Sequence, residues 1–324
     1  MKRREFVTLV VGAAGIWPGL LQAQPSPRQI GLLCGTKFDD RELEAVRQGL
    51  REAGYVEGRN VAIEYKSAEG QYDRLPALAA ELASRGQPVI VAIGGTATAV
   101  AAKRATSTVP IVFAVGGDPV KVGLVTSMNR PEGNVTGLAF LVTGLGAKRL
   151  ELLHEMVPTT GRFGYLANPG NPNSESETAD IQTAARALGR TVQVMSAGNE
   201  REIEAAFTQF DQLGVNALVV ASDAYFNSRR EQFVLLAARH RLPAIHDLRE
   251  FVIAGALMSY GTDRIDSYRL AGVYAGRVLS GEKPSDLPVV QSTKLQLVLN
   301  LRTAKAMGLE VSAKLLALAD EVIE

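Results

Sequence analysis

Residues 89–119, VIVAIGGTATAVAAKRATSTVPIVFAVGGDP, contain two short apolar runs that each end at a pair of glycines, Gly94-Gly95 and Gly116-Gly117. A segment of small residues with helical character lies between the two runs. Apolar, β-branched runs that do not alternate with polar residues are typical of parallel strands covered on both faces. The stretch therefore predicts a strand–helix–strand unit whose glycine loops lie at the carboxyl edge of a parallel sheet, where open α/β sheets bind ligands.

The same alternation of strand and helix patterns runs along the rest of the chain. It is interrupted at residues 128–137 (MNRPEGNVTG), whose Pro, Gly and Asn content predicts a crossing between domains. We expect two α/β lobes with a cleft between them. The first lobe is assigned residues 27–138 plus 250–285, and the second residues 139–249 plus 286–324.

Composition and the N-terminus restrict the function. The 324 residues carry a formal net charge of +1, so no global field favours nucleic acid, and we expect no nucleic-acid partner. Lys2-Arg3-Arg4 precedes a broken apolar stretch, 6–21, and the small residue Ala23. Residues 1–23 are therefore predicted to be an export signal of the twin-arginine type, cleaved after Ala23 and directing the protein to the periplasm. An uncleaved membrane anchor is the alternative.

Polar loops follow the predicted strands and supply the candidate ligand contacts. Thr96 opens a helix, whose unpaired N–H groups favour a carboxylate, and Asp118 and Asp223 would offer negative charge to an ammonium group from opposite lobes. Helix caps and turns use the same residue types, which leaves a purely structural interpretation open. The predicted ligand-binding residues are Thr36, Phe38, Gly95, Thr96, Thr98, Asp118, Asn168, Asn171, Asn173, Asp223, Tyr225 and Tyr260.

Motifs of catalysis are not found in the sequence. It contains no nucleophile elbow, phosphate-binding loop, dinucleotide-binding glycine fingerprint or metalloprotease helix. The three histidines are scattered, although His246 could face the cleft, and the single Cys34 lies in an apolar strand pattern typical of a core residue. We predict no enzymatic activity, no cofactor and no metal site.

Several segments together resemble the substrate-binding proteins of ABC transporters, in the family that includes tryptophan-binding and other aromatic-amino-acid-binding members. The segments that carry the resemblance are 49–61 (GLREAGYVEGRNV), 72–82 (YDRLPALAAEL), 110–119 (PIVFAVGGDP), 133–137 (GNVTG), 148–153 (KRLELL), 226–230 (FNSRR) and 258–261 (MSYG).

The resemblance implies a type I periplasmic-binding-protein fold with two doubly wound parallel-sheet lobes, a three-strand hinge and a ligand held between the lobes. It places the ligand near Thr96, Thr98, Asp118, Asp223 and the loop 168–173. We expect an exported, monomeric receptor that binds an amino acid or related zwitterion, including aromatic ones, and delivers it to an ABC permease in the inner membrane. The alternatives are a receptor that signals to a partner and a secreted α/β enzyme.

Overall fold

The computed structural model describes residues 27–292 and 294–324, so the predicted export signal, residues 1–23, lies outside the described residues. The first elements in chain order are β1 (Arg28–Cys34), α1 (Asp40–Glu52), β2 (Val61–Ser67), α2 (Leu75–Ser84), β3 (Ile90–Ile93), α3 (Thr96–Ala105), β4 (Ile111–Val115) and β5 (Val135–Ala139). The chain continues with α4 (Gly146–Met156), β6 (Arg162–Ala167), α5 (Ser174–Ala187), β7 (Thr191–Ser196), α6 (Glu200–Gln212), β8 (Ala217–Val220), α7 (Ala224–Ser228), α8 (Arg230–Arg239) and β9 (Ala244–His246). It ends with α9 (Arg249–Ile253), β10 (Met258–Thr262), α10 (Arg264–Leu279), β11 (Val290–Gln291), β12 (Leu295–Asn300), α11 (Leu301–Ala306), α12 (Ala313–Leu318) and β13 (Glu321–Ile323).

The strands form two sheets, one in each lobe. The sheet of lobe 1 has the order β11-β5-β4-β3-β1-β2 and is parallel throughout. The sheet of lobe 2 has the order β13-β12-β10-β9-β8-β6-β7, and its one antiparallel pairing joins β10 to β12. Both sheets place their parallel strand ends at one edge, as predicted from residues 89–119.

Helices cover both faces of the lobe 1 sheet, which explains why its strands do not alternate with polar residues. In β1, Leu32 joins the apolar cluster that includes residues of α1 and α10, whereas the next residue, Leu33, joins the cluster on the α2 and α3 side. Lobe 2 has one large cluster rich in phenylalanine. Burial of these apolar surfaces is the main favourable contribution to folding. The doubly wound arrangement predicted for the fold is confirmed.

The chain passes between the lobes three times, at residues 140–145, at Asp263 and between β11 and β12. The Thr262 hydroxyl donates to the Phe140 carbonyl oxygen at 3.2 Å, and the Ser292 N–H donates to the Ala139 carbonyl oxygen at 2.9 Å, so the three crossings run side by side. This is the three-strand hinge that the resemblance to the family implied.

Three details of the predicted organisation differ from the structure. Residues 135–137, assigned to a domain crossing, begin β5 within the lobe 1 sheet. The predicted return to lobe 1 at residue 250 also comes too early, because α9 precedes β10, which pairs with β9 and β12 of lobe 2, and the chain returns only after Thr262. In the other direction, β11 extends the lobe 1 sheet although residues 286–324 were assigned to lobe 2.

Within residues 27–292 and 294–324, no helix combines the length and the apolar content needed to cross a bilayer.

Candidate functional site

A cavity lies in the cleft where the carboxyl edges of the two sheets face each other. Its volume is about 470 Å³ when the part open to solvent is included, and we call it the central cavity. Both lobes and the first crossing contribute to it, and its lining comprises Tyr72, Gly95, Thr96, Ala97, Gly116, Phe140, Val142, Thr143, Asn171, Asn173, Ser222, Asp223, Ala224, Asn227, Asp247, Leu248, Arg264 and Tyr268.

Asp223 is the centre of a hydrogen-bond network on the lobe 2 side of the central cavity. It caps α7, and its Oδ1 accepts from the Phe226 N–H at 3.1 Å and from Asn168 Nδ2 at 2.9 Å. Its Oδ2 accepts from Asn171 Nδ2 at 3.0 Å and from the Tyr72 hydroxyl at 3.2 Å. Burial raises the pKa of Asp223, and these donors oppose the shift. Four donors occupy the four lone pairs of the carboxylate, so Asp223 has little capacity left for a ligand.

The lobes contact each other directly around the cavity. Asn173 Nδ2 of lobe 2 donates to Thr96 Oγ1 of lobe 1 at 3.0 Å, and the N–H of Tyr225 donates to the Tyr72 hydroxyl oxygen at 3.0 Å. A Cβ added at Gly95 would lie 3.1 Å from the Cβ of Ala224, and a Cβ added at Gly117 would overlap the side chain of Asn173. The structure therefore represents closed lobes, in which small residues of lobe 1 admit side chains of lobe 2.

A buried arginine connects the first crossing to the cavity. Arg149 of α4 is fully buried and donates to the Val142 carbonyl oxygen at 3.1 Å and to the Ser222 hydroxyl at 2.8 Å. It forms no ion pair with any residue that the structure describes. Nearby, Tyr165 donates to Glu177 Oε2 at 2.8 Å, and burial raises the pKa of Glu177 to about 8 although Arg149 opposes the shift.

A second polar group at the central cavity joins Asn227 and Asp247 of lobe 2 to Arg264 of lobe 1. Asn227 Nδ2 donates to Asp247 Oδ2 at 3.5 Å, and Arg264 Nη2 forms a salt bridge with Glu42 Oε1 at 2.7 Å. Burial raises the pKa of Asp247, and the charges of Arg149 and Arg264 oppose the shift. Two buried atoms of this group, Asn227 Oδ1 and Arg264 Nε, have no hydrogen-bond partner in the described protein.

The structure brings five of the predicted site residues together at the central cavity: Gly95, Thr96, Asn171, Asn173 and Asp223. Four others line neighbouring cavities of the cleft, Thr36 and Phe38 in one and Asn168 and Tyr225 in another. Asp118 lines a third, and its Oδ1 accepts from the N–H groups of Val120 and Lys121 within its own turn.

Two predicted site residues are directed elsewhere. The Thr98 hydroxyl is fully buried and donates to the Gly94 carbonyl oxygen at 3.3 Å, inside α3. Tyr260 lies in the middle of β10, packs against the lobe 2 core and is not part of the central cavity lining. Neither residue lines the central cavity, because the Thr98 hydroxyl bonds to the preceding turn and Tyr260 packs against the lobe 2 core.

His246 and Cys34 are core residues. His246 stacks on Phe251 with ring centroids 3.9 Å apart, and burial lowers its pKa to about 3, so it does not face the cleft. Burial raises the pKa of the Cys34 thiol to about 12, which makes the thiolate scarce. Across residues 27–292 and 294–324, no group of three or more His, Cys, Asp or Glu side chains is placed to hold a metal ion.

Several residues of the central cavity were not predicted from the sequence, notably Tyr72, Phe140, Asp247, Arg264 and Tyr268. Asp247 and Arg264 had a usable signal, because each comes within two residues of the end of a short apolar segment, β9 or β10, at the ligand-binding edge. Tyr72 had none, since its partner Asp223 is 151 residues away in the chain.

The fold and the cavity define a two-lobed binding protein that encloses a small molecule. The sequence profile of the family "ABC transporter substrate binding protein" matches residues 35–323, and the chain belongs to this family. A tyrosine-binding protein of Clostridioides difficile (strain R20291) is 27% identical over 272 residues, which are 84% of this chain and 77% of that protein.

Two solved structures clarify the state of the lobes. A domain from Streptococcus pneumoniae in complex with L-Trp is 26% identical, with a TM-score of 0.82 over 92% of this chain and all of the other. A ligand-free, open substrate binding protein with adhesive properties from Clostridium difficile is 25% identical, with a TM-score of 0.62 over 91% of this chain and 99% of the other. The higher score against the liganded domain agrees with the direct contacts between the lobes.

Proposed function

We propose that this protein is an exported receptor that binds an aromatic amino acid between its lobes and delivers it to an ABC permease in the inner membrane. The observation that carries the proposal is the composition of the central cavity. It combines charged groups of both signs, Asp223, Asp247 and Arg264, with an apolar wall. Cavities of this kind fix the polar groups of a small ligand and bury its apolar part.

The apolar wall suits a flat side chain. Phe140, Val142, Leu248 and Tyr268 line one part of the central cavity, and the rings of Phe140 and Tyr268 meet edge to face with centroids 6.4 Å apart. An aromatic ligand would extend this cluster in the offset or edge-to-face geometry that aromatic pairs prefer. The tyrosine and L-Trp named for the two relatives support the same ligand class.

Export by a twin-arginine signal, location in the periplasm, a monomeric state and the absence of enzymatic activity complete the proposal. The family assignment supports a small-molecule ligand and an ABC transporter as the partner. The basic Arg3-Arg4 pair and Ala23 support export and cleavage.

Calorimetric titration of the purified protein, stripped of retained ligand by unfolding and refolding, tests the proposal. Tyrosine, tryptophan and phenylalanine are the probes, and leucine and ribose are the controls. We expect at least one aromatic amino acid to bind and to stabilise the fold by about 2.7 kcal/mol at a hundredfold excess over its Kd. Binding of ribose with no response to the aromatic amino acids would contradict the proposal.

A further inference from the structure

Three residues of the central cavity follow three adjacent strands of one sheet. Asn227 lies in α7 after β8, Asp247 follows β9 directly, and Arg264 comes two residues after β10. Because β8, β9 and β10 are neighbours and parallel, their carboxyl ends meet at one place on the ligand-binding edge. The side chains of Asn227, Asp247 and Arg264 all line the central cavity.

Two atoms of this group lack the hydrogen bonds that buried polar atoms normally make. Asn227 Oδ1 is an acceptor and Arg264 Nε is a donor, and both are buried without a protein partner. The orientation of the Asn227 amide is fixed by Asp247, since the opposite orientation would direct two acceptor oxygens at each other. A ligand that satisfies both atoms therefore needs one group that donates a hydrogen bond to Asn227 Oδ1 and one that accepts a hydrogen bond from Arg264 Nε.

Asp247 and Arg264 each use fewer of their hydrogen-bonding positions within the protein than Asp223 does. The one side-chain partner of Asp247 among the described residues is Asn227, at the long distance of 3.5 Å. Arg264 uses Nη2 for Glu42 and keeps Nε free. Asp223, by contrast, accepts four hydrogen bonds from the protein. The unused capacity for charged hydrogen bonds in the central cavity thus lies at Asp247 and Arg264.

We propose that Asp247 and Asn227 bind the α-ammonium group of the ligand and that Arg264 binds its α-carboxylate through Nε. This deepens the proposed function and rests on it. Asp247 and Asn227 belong to lobe 2, whereas Arg264 begins α10 of lobe 1. The clamp is complete only when the lobes close, so an amino acid binds the closed state better and shifts the population toward it.

The clamp replaces the assignment of the ammonium group to Asp118 and Asp223. Asp118 lines a different cavity and is bonded within its own turn. The N-terminus of α3 at Thr96 remains the competing place for the carboxylate, because its N–H groups also favour an anion. The experiment separates the two assignments by removing one ligand group at a time.

The test measures Kd by calorimetry, with displacement titration for weak ligands, for three molecules that share the side chain of the amino acid that binds. They are the amino acid itself, the arylethylamine without the carboxylate, and the arylpropionate without the ammonium group. In Asp247→Asn we expect the amino acid and the amine to lose roughly 10²-fold in affinity and the propionate less than threefold. In Arg264→Gln we expect the amino acid and the propionate to lose affinity and the amine to be unaffected.

Asn227→Leu extends the test, with an expected loss of about tenfold for the two ligands that carry the ammonium group. Asp118→Asn is the matched control for Asp247→Asn and should leave all three affinities unchanged. Melting curves establish that each variant is folded. If an analogue binds too weakly for its Kd to be measured, the affinity for the amino acid alone is used. A loss of less than threefold in that affinity in Asp247→Asn overturns the clamp.

Equal losses for all three molecules in Asp247→Asn would assign this carboxylate a structural role and overturn the clamp, while the amino-acid receptor would stand. A propionate affinity that is unaffected in Arg264→Gln would overturn the carboxylate assignment and favour Thr96. If the wild-type protein binds no aromatic amino acid, the proposed function fails and the clamp fails with it.

Discussion

The two faces of the cleft are built differently. The face of lobe 2 is a hydrogen-bond network. Asp223 accepts from Asn168, Asn171 and the Phe226 N–H, which all belong to lobe 2. At the ends of β3 and β4, the face of lobe 1 consists largely of glycines and Thr96, and the larger side chains of that lobe, such as Arg264, come from other elements. Lobe 2 therefore carries a bonded, buried polar network around Asp223, whereas the strand ends of β3 and β4 in lobe 1 offer shape and backbone.

This difference separates two kinds of energetic effect. A network of buried polar groups contributes to the folded state whether or not the lobes are closed, and the loss of one member leaves the others unpaired. A smooth glycine surface contributes nothing to the stability of its own lobe beyond its backbone, but it determines how closely the other lobe can approach. Substitutions in the Asp223 network should therefore reduce stability, whereas substitutions of the lobe 1 glycines should alter binding.

Asp223→Ala should have the largest effect, because it leaves Asn168, Asn171 and the Phe226 N–H without their buried acceptor. We expect the free energy of unfolding of the ligand-free protein to fall by about 3 kcal/mol, measured by urea denaturation of the lobe 2 transition.

Asp118→Ala is the control for Asp223→Ala, since Asp118 is half-buried on the lobe 1 side and accepts two local backbone hydrogen bonds. Its loss should cost about 1 kcal/mol or less, as for other local caps. Equal losses in the two variants would contradict the contrast between the faces.

Glu177 extends the contrast to pH, because it lies buried behind the lobe 2 face among Arg149, Tyr165, Asp223 and Asp247. The pKa of Glu177 in the folded protein is about 8, which exceeds the ordinary value of 4.5. The contribution of Glu177 to the free energy of unfolding is therefore fully present below about pH 4.5 and is lost as the pH rises through 8. We expect Glu177→Gln to reduce the loss of stability between pH 5 and 9, by up to about 1.4 kcal/mol per pH unit.

Melting temperatures of the wild type and of Glu177→Gln at pH 5, 7 and 9 give the measurement. The neighbouring acids Asp223 and Asp247 also have raised pKa values and remain in the variant, so some pH dependence should persist. Parallel profiles for the two proteins would mean that Glu177 is charged in the folded state at pH 7.

Most of the fold could be predicted from the sequence, because strands buried on both faces read as uninterrupted apolar runs. The strand β5 could not, since Gly137 interrupts it and suggests a loop. In the structure this glycine has a φ of 155°, and a Cβ there would overlap the backbone of Phe113 in β4. The requirement comes from the neighbouring strand, which the local sequence does not contain.

The candidate site could be predicted less completely. Loops at strand ends were recognised from Gly, Asn and Asp residues, and this pattern located Thr96, Asn171, Asn173 and Asp223 at the central cavity. The pattern of loop residues did not distinguish Asp223, which already accepts four hydrogen bonds from the protein, from Asp247, which can still accept them from a ligand. The number of donors around a carboxylate depends on contacts between residues that are distant in the chain. The same limit applied to Tyr72.

Gly117→Ala is the last and smallest of the expected effects, and it tests the lobe 1 face alone. Gly117 follows β4 and does not need a positive φ, so its own lobe can accept alanine. In the closed state the added methyl group would overlap Asn173, whose amide is held by Thr96 and Asn171 at 3.0 Å each. In an open state Asn173 withdraws with lobe 2, so the overlap penalises closure only.

We expect Gly117→Ala to weaken ligand binding by about tenfold, which corresponds to about 1.4 kcal/mol against the closed state, with the melting temperature of the ligand-free protein little changed. Small-angle scattering should show a larger radius of gyration for the variant at a ligand concentration that closes the wild type. Gly161→Ala is the matched control, because a Cβ at this exposed glycine of lobe 2 meets no atom within 4 Å. An unchanged affinity in Gly117→Ala would mean that the bound state is more open than the structure, and the contrast between a bonded lobe 2 and a shape-defining lobe 1 would then not govern binding.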